Sequence, residues 1–272
     1  MHRAVLAQEK LMKTSKTKLL ALSIAATFTS QASLADEINP PTIASSHLTL
    51  GLVAGFKDKP YEDLDSADKQ IIAPLVIYES ERLFWRGTTG GWKFVNRPDL
   101  EVAAIASLRG SDGYNADDSD FMEGMDDRDG TVDGGFHIRW LPSDFGLKFT
   151  MVADLADEYD GYEVRGEGIY VAQAGNWSNQ VSAGVIYQSD DLIDYYYGVE
   201  GSEARPGRPA YSGDATVNFR LQAVTNYRPE GSKWSYFLGG RYEVLGDEID
   251  DSPITDDDSQ FTILAGFAYT WR

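Results

Sequence analysis

Apolar and polar residues alternate along most of the chain beyond residue 47, with a period of two. The segment 213–228 shows the pattern most clearly. One of its faces carries Val217, Phe219 and Leu221, and the other carries Asn218, Arg220 and Gln222. Successive side chains of a β-strand point to opposite faces. The pattern therefore predicts strands that are apolar on one face and polar on the other.

Twelve segments are predicted as strands on this basis. They are Leu48–Phe56, Gln70–Tyr78, Leu83–Arg86, Trp92–Val95, Leu100–Arg109, Val132–Leu141, Phe145–Leu155, Gly161–Gln173, Trp177–Gln188, Gly213–Arg228, Lys233–Gly246 and Ser259–Arg272. A soluble antiparallel sandwich also alternates in this way. Many of these segments, however, exceed the ~5–6 residues of an average strand in a soluble sheet and suit a tilted membrane crossing. Aromatic residues also gather near the segment ends, as membrane-interface girdles require. The length of the predicted strands and the position of the aromatic residues near their ends together favour a membrane barrel.

The connections between these segments fall into two classes. Those at one end are short, whereas four of the six at the other end are long: 57–69, 110–131, 189–212 and 247–258. The six connections at this second end hold 28 acidic and six basic residues. Outer-membrane barrels have tight periplasmic turns and long external loops. The predicted fold is therefore all-β, a single antiparallel transmembrane β-barrel of about 12 strands with long acidic external loops and short periplasmic turns.

The first 35 residues have the features of an export signal. A basic stretch with Lys13, Lys16 and Lys18 precedes an apolar run, which is followed by Ser33-Leu34-Ala35, a pattern that signal peptidase cuts. We expect residues 1–35 to be a signal peptide, with Met12 as an alternative start. Residues 36–46 then form a periplasmic lead-in, and 47–272 form the barrel. The expected location is the outer membrane of a Gram-negative cell.

The composition and the motifs that are missing from the sequence argue against several classes of function. The net charge of −19 argues against binding nucleic acid, which requires clustered Lys and Arg. The absence of cysteine excludes disulfides, thiolate nucleophiles and Cys-ligated metals. The usual hydrolase, zinc-protease and P-loop motifs are missing from the sequence. We therefore expect no enzyme activity, no cofactor and no dedicated metal site.

Two groups of residues nevertheless carry candidate chemistry. His137 shares a polar face with Asp133 and Arg139, which favours a hydrogen-bonded interior histidine over a catalytic base. The loop that contains Asp126, Asp127 and Asp129 resembles a calcium loop. Met at the first ligand position and Phe at the twelfth exclude an EF-hand. A diffuse cation site formed with Asp133 stays as an alternative to a solvated acidic loop.

Charged residues of both signs are predicted to face the barrel interior. They are Glu163, Arg165, Glu167, Arg220, Arg241 and Glu243. In a barrel of about twelve strands such residues either cross-link a filled interior or line a narrow pore. The sequence favours the first arrangement and leaves the second open.

The C-terminal third contains four distinctive motifs: Tyr195-Tyr196-Tyr197-Gly198-Val199, Leu245-Gly246-Asp247, Asp251-Ser252-Pro253-Ile254 and the aromatic end at Phe267-Ala268-Tyr269-Thr270-Trp271. In these motifs the chain resembles the MipA/OmpV family of outer-membrane proteins. Gly51-Leu52-Val53-Ala54-Gly55 and Pro74-Leu75-Val76 are also similar to the family pattern. The resemblance extends over residues 47–272.

Membership of that family would imply a scaffold. Such a protein links peptidoglycan-synthesising and peptidoglycan-cleaving enzymes at the murein layer, so a lytic transglycosylase and a bifunctional penicillin-binding protein are implied as partners. Outer-membrane lipid and lipopolysaccharide are expected to surround the barrel. Family members of the OmpV type imply two alternatives, a small-solute porin and a surface adhesin.

Overall fold

The computed structural model describes residues 46–64, 69–110 and 113–271. The predicted signal peptide 1–35, the alternative start at Met12 and the lead-in up to residue 45 lie outside these residues. Twelve antiparallel strands close into one barrel, in which each strand pairs with its neighbours in the chain and β1 pairs with β12. The strands are β1 His47–Lys57, β2 Gln70–Glu79, β3 Leu83–Arg86, β4 Thr89–Asn96, β5 Leu100–Arg109, β6 Thr131–Trp140, β7 Phe145–Asp154, β8 Tyr162–Ala174, β9 Trp177–Gln188, β10 Thr216–Tyr227, β11 Trp234–Val244 and β12 Ser259–Trp271.

All twelve predicted strands are confirmed, each within three residues at either end. The alternation of side chains also gives the faces correctly. In β10, Phe219 and Leu221 point outward and are more than half exposed, whereas Asn218 and Gln222 point inward and are 1% exposed. The outer surface of the barrel is therefore an apolar band, as a lipid-facing wall requires.

The six tryptophans of the chain all lie toward the end of the barrel that has the short turns. Each is between 42% and 47% exposed on the outer surface: Trp85, Trp92, Trp140, Trp177, Trp234 and Trp271. Indole rings prefer the boundary between hydrocarbon and headgroups, where the ring is apolar and its N–H stays wet. This end of the barrel therefore carries a tryptophan girdle.

The β3–β4 hairpin is much shorter than the other hairpins. Its tip at residues 87–88 contains Gly87 with a φ of 62°, and the Gly87 N–H donates to the Val76 carbonyl at 3.0 Å. Within the described residues, β2 has a strand partner on this side only from Ile77 to Glu79. Pro74 lies above that point and lacks an N–H group, which fits an edge position. The barrel wall is therefore shorter along its axis at the β3–β4 hairpin than elsewhere.

Short helices occur in connections that were predicted as loops. Helix α1 spans Asp190–Tyr197 and helix α2 spans Asp247–Asp250, and a 3-10 turn spans Ala116–Asp118. Helix α1 begins with Asp190 and Asp191, whose negative charges are favourable at a helix N-terminus. Across the described ranges, none of the helices has the length and apolar character needed to cross a bilayer.

The outward position of Leu221 can be tested by substitution. We expect Leu221→Arg to destabilise the barrel in lipid vesicles, lowering its free energy of unfolding by about 2–4 kcal/mol, since arginine at mid-bilayer is costly. Val217 lies on the same face of β10, near the strand end. Val217→Arg should therefore cost only about 0–1 kcal/mol, because the cost falls toward the interface. Urea titrations measure both values, and equal costs would contradict the assigned depth.

Candidate functional site

Five neighbouring strands each contribute one charged or titratable side chain to a buried network inside the barrel. Arg86 on β3 donates to both oxygens of Glu101 at 2.9 Å and also to Glu79. Lys93 lies 2.6 Å from Glu79, and His137 lies 2.8 Å from Glu101. These side chains are at most 3% exposed. Two carboxylates therefore face an arginine and a lysine, and His137 is the hydrogen-bonded interior histidine that was predicted.

A second network extends along the interior from β5 to β11. Arg109 binds Asp133 at 2.8 Å and Glu163 at 3.3 Å. From Glu163 the hydrogen bonds continue through Gln188 and Asn218 to Glu243, which pairs with Arg220 at 2.9 Å. Two more of the predicted inward charges are engaged, since Arg165 pairs with Glu163 and Arg241 donates to Gln222. The charged part of the interior is thus cross-linked.

One other part of the interior is apolar. Inward-facing residues of β1, β2 and β10–β12 pack together there: Val53, Ile71, Leu75, Ile77, Val224, Phe237, Leu264 and Ala268. This packing explains why β1 and β2 are apolar on both faces in the sequence. Their outer faces meet lipid, and their inner faces meet this cluster.

The long connections form a packed layer over one end of the barrel, which we name the loop cap. Its buried core contains Tyr61, Tyr114, Ala116, Met122, Met125, Tyr159, Leu192, Ile193, Tyr196, Tyr197, Val199, Leu245, Ile249 and Ile254. Asp250, Asp251 and residues 256–258 are exposed to solvent, but they lie over this apolar core. Apolar residues from five connections supply that core, so the connections are tied to one another.

The motifs that suggested a family resemblance meet inside the loop cap. The Ser252 hydroxyl donates to the Tyr197 carbonyl at 2.6 Å, and both residues are buried. The Tyr61 ring stacks on Tyr197 with centroids 5.5 Å apart, and its hydroxyl donates to the Tyr196 carbonyl. Ile254 completes this contact as a fully buried side chain. The Asp-Ser-Pro and tyrosine-rich motifs thus hold the cap together.

An ion pair also supports the cap. Arg128 lies 3.1 Å from Glu203 and donates to the Tyr195 carbonyl at 2.8 Å. Burial raises the pKa of Glu203, but backbone N–H donors and Arg128 outweigh it, so the net pKa lies below the usual value. A lowered carboxyl pKa adds stability that is present above the unfolded pKa and is lost as the pH falls through the folded pKa. This ion pair therefore stabilises the cap at neutral pH.

The diffuse cation site considered from the sequence does not form as one cluster. Asp133 faces the barrel interior, where it accepts from Arg109 and from the Tyr159 hydroxyl at 2.8 Å. Asp126 and Asp127 are exposed, and Asp127 accepts from the Ala116 N–H. In the ranges that the structure covers, no group of three or more His, Cys, Asp or Glu side chains is arranged to hold a metal ion.

Comparison with known proteins gives consistent results. The model of the family described as MltA-interacting protein MipA matches residues 50–271. The outer membrane protein YiaT of Escherichia coli K12 is 30% identical over 235 residues, covering 84% of this chain and 92% of that protein. The MltA-interacting protein of the same strain is 28% identical, covering 83% and 91%. OmpV of Vibrio cholerae is 30% identical over 156 residues, covering 57% and 60%.

Among solved structures, the chain is similar to an outer membrane channel from Pseudomonas putida F1. The TM-score is 0.45 at 10% sequence identity, covering 86% of this chain and 98% of the channel. The family match, the named outer-membrane relatives and the closed twelve-stranded barrel identify an outer-membrane β-barrel.

The buried network can be tested at Arg86. Arg86→Met leaves Glu79 and Glu101 without their shared guanidinium, and removing one partner of a buried ion pair typically costs about 3–5 kcal/mol. Arg97 pairs with Asp99 in an exposed turn at 3.1 Å. Arg97→Met should cost about 0–1 kcal/mol for that reason. Folding titrations compare the two variants, and similar costs would contradict a stabilising role for the interior network.

Proposed function

The chain belongs to the MltA-interacting protein MipA family of outer-membrane proteins, and we propose from this premise that it is a non-enzymatic scaffold. It would hold a lytic transglycosylase and a bifunctional penicillin-binding protein together at the murein layer. The observation that carries the proposal is the family match over residues 50–271, together with a relative named for its interaction with MltA.

The barrel interior supports a platform in preference to a conduit. Arg86 and Arg109 each bridge two carboxylates from different strands, and Arg220 pairs with Glu243, so these charges are bound to one another instead of facing a solute. Ion pairs across neighbouring strands also make the wall rigid. A rigid barrel presents its turns in fixed relative positions, which suits a scaffold.

The proposal assigns the two ends of the barrel to two compartments. Short turns are typical of the periplasmic end of outer-membrane barrels, and long loops are typical of the external end. The periplasmic surface would then comprise the turns at residues 80–82, 97–99, 141–144, 175–176 and 228–233, with the segment 36–46. We assign the partner contact to the apolar side chains of that segment, Ile38 and Ile43.

Cysteine labelling tests this orientation directly, because the chain has no cysteine of its own. Ser202 in the loop cap and Glu230 in a short turn are both exposed. An impermeant maleimide should label Ser202→Cys on intact cells and should label Glu230→Cys only after the outer membrane is permeabilised. The reverse labelling pattern would contradict the proposed orientation.

Partner capture tests the scaffold itself. Deleting residues 37–45 removes no strand of the barrel, so the protein should still fold and show heat-modifiable migration on gels. Co-purification of a lytic transglycosylase from cross-linked membranes should fall. The matched control replaces Asp256, Asp257 and Asp258 with asparagine at the opposite end, where they are exposed. That variant should capture the transglycosylase as well as the wild type does.

Other outcomes would favour the alternatives. If the deletion leaves capture unchanged and the loop 110–131 is needed instead, the scaffold proposal is wrong and a surface adhesin becomes the better interpretation. Conductance steps of stable size in planar bilayers, without capture of a murein enzyme, would support a porin.

A further inference from the structure

The barrel wall has a notch above the β3–β4 hairpin. Strand β2 is 10 residues long and pairs with β1 over its whole length. On its other side, β2 pairs with β3 only from Ile77 to Glu79, because the hairpin turns back at residues 87–88. The notch is the part of the wall above that turn, and Gln70–Val76 forms its edge. The scaffold proposal does not use this part of the outer surface.

The edge of β2 points backbone groups into the notch. In an antiparallel strand, every second residue directs both its N–H and its C=O toward the same neighbouring strand. The Val76 carbonyl accepts from the Gly87 N–H at 3.0 Å, so the even-numbered residues of β2 face the hairpin side. The N–H and C=O of Ile72 and the C=O of Pro74 therefore point into the notch. Among the described residues, none forms a hydrogen bond with these three groups.

These backbone groups lie at the depth of the hydrocarbon layer. Tyr78 pairs with Leu48, and Leu48 pairs with Trp271 of the tryptophan girdle. Ile72 lies six residues from Tyr78 along β2, which corresponds to about 15 Å of height at the usual strand tilt. The apolar band of such barrels is about 25 Å tall. The notch therefore opens toward hydrocarbon and not toward bulk water.

Side-chain exposure shows that the β2 edge is accessible from outside. Ile72 points outward and is 77% exposed, the highest value among the large apolar side chains of the described residues. Phe219 also points outward, but it has a paired strand on each side and is 59% exposed. Pro74 is exposed as well, whereas Gly87 and Thr88 at the hairpin tip are buried. The accessible side of the notch is therefore the edge of β2.

Backbone groups in hydrocarbon require a polar partner, because leaving them without hydrogen bonds is costly. We propose that lipid headgroups of the leaflet at the loop-cap end descend into the notch and form hydrogen bonds with this edge of β2. A bilayer adapts to a short hydrophobic wall by thinning beside it. The barrel thus thins the membrane on one side only. This inference depends on the membrane location and not on the scaffold role.

Other occupants fit the edge less well. An added strand would find no N–H donor at Pro74, and proline on an edge is a common means of blocking strand addition. A second copy in the same membrane would have the same orientation, so the two β2 strands would meet in parallel. Every strand pair of this wall is antiparallel. Headgroups, in contrast, need no strand register to bind here.

The test compares the depth of a fluorophore at two positions in the protein folded into phosphatidylcholine vesicles. Ile72→Cys and Phe219→Cys each introduce a single thiol, since the chain has no cysteine. Ile72 is the third residue of β2 and Phe219 the fourth of β10, and both strands begin at the loop-cap end. Each thiol is labelled with bimane. Nitroxides on the lipid headgroup or midway along the acyl chain then quench its emission.

The two positions should respond in opposite ways. Bimane at Ile72 should be quenched more strongly by the headgroup nitroxide, because headgroups reach the notch. Bimane at Phe219 should be quenched more strongly by the acyl-chain nitroxide, because the complete wall there is covered by hydrocarbon. The apparent depths should differ by about 5 Å or more, since the exposed edge of β2 extends over about 15 Å of height.

A second pair of variants lies deeper in the same two strands. Pro74 is the fifth residue of β2 and Leu221 the sixth of β10, and both are exposed on the outer surface. Pro74→Cys and Leu221→Cys should show the same contrast, and they replace the first pair if Ile72→Cys does not fold. All four variants are first checked for heat-modifiable migration on gels.

Three results would overturn the proposal. Stronger acyl-chain quenching at Ile72, as at Phe219, would show that hydrocarbon fills the notch. Weak quenching at Ile72 by both nitroxides would show that protein covers the edge, from a second copy or from the loops of the same chain. Stronger headgroup quenching at both positions would place both close to the bilayer surface, and the notch would then have no special effect on the lipid.

Discussion

Charge neutralisation inside the barrel is the constraint on which the rest of the structure depends. Arg86, Lys93, Glu79 and Glu101 are almost fully removed from solvent, and charges in such a place must be paired. The members of the network come from different strands, so each pair fixes two strands relative to each other. A slip of one residue would turn every charge toward lipid. The network therefore specifies strand register as well as filling space.

The period-two alternation was sufficient to predict the twelve strands and their faces, because each lipid-facing wall imposes the same pattern locally. The bounds predicted for Leu100–Arg109 and Trp177–Gln188 agree residue for residue with the structure. The loop cap was not predicted, since Tyr61, Met122 and Ile249 come from separate loops and only long-range packing unites them. Helix α1 did leave a helical signal, namely its buried Leu192, Ile193, Tyr196 and Tyr197 at offsets of one and four residues.

The family motifs lie at the end of the barrel opposite to the one that the proposed scaffold would use to contact its partners. Ser252, Tyr197 and Ile254 are buried in the cap, so these motifs describe how one end of the barrel is closed. A periplasmic partner would meet the opposite end, which none of these three residues reaches. Chains that share these motifs can therefore differ in their partners, because the residues that close the loop cap are not those that a partner at the short-turn end would contact.

The one-sided placement of the tryptophans has an optical consequence. Indole emission from this chain arises at a single rim, because all six tryptophans lie toward the short-turn end. The core of the loop cap contains tyrosine but no tryptophan among its described residues. Quenching of tryptophan emission by brominated acyl chains would therefore report when the short-turn end enters the bilayer. Tyrosine absorbance would include a contribution from the assembly of the loop cap at the opposite end. Tryptophan emission thus reports on the short-turn end alone, whereas tyrosines contribute at both ends, since Tyr227 and Tyr269 lie beside tryptophans.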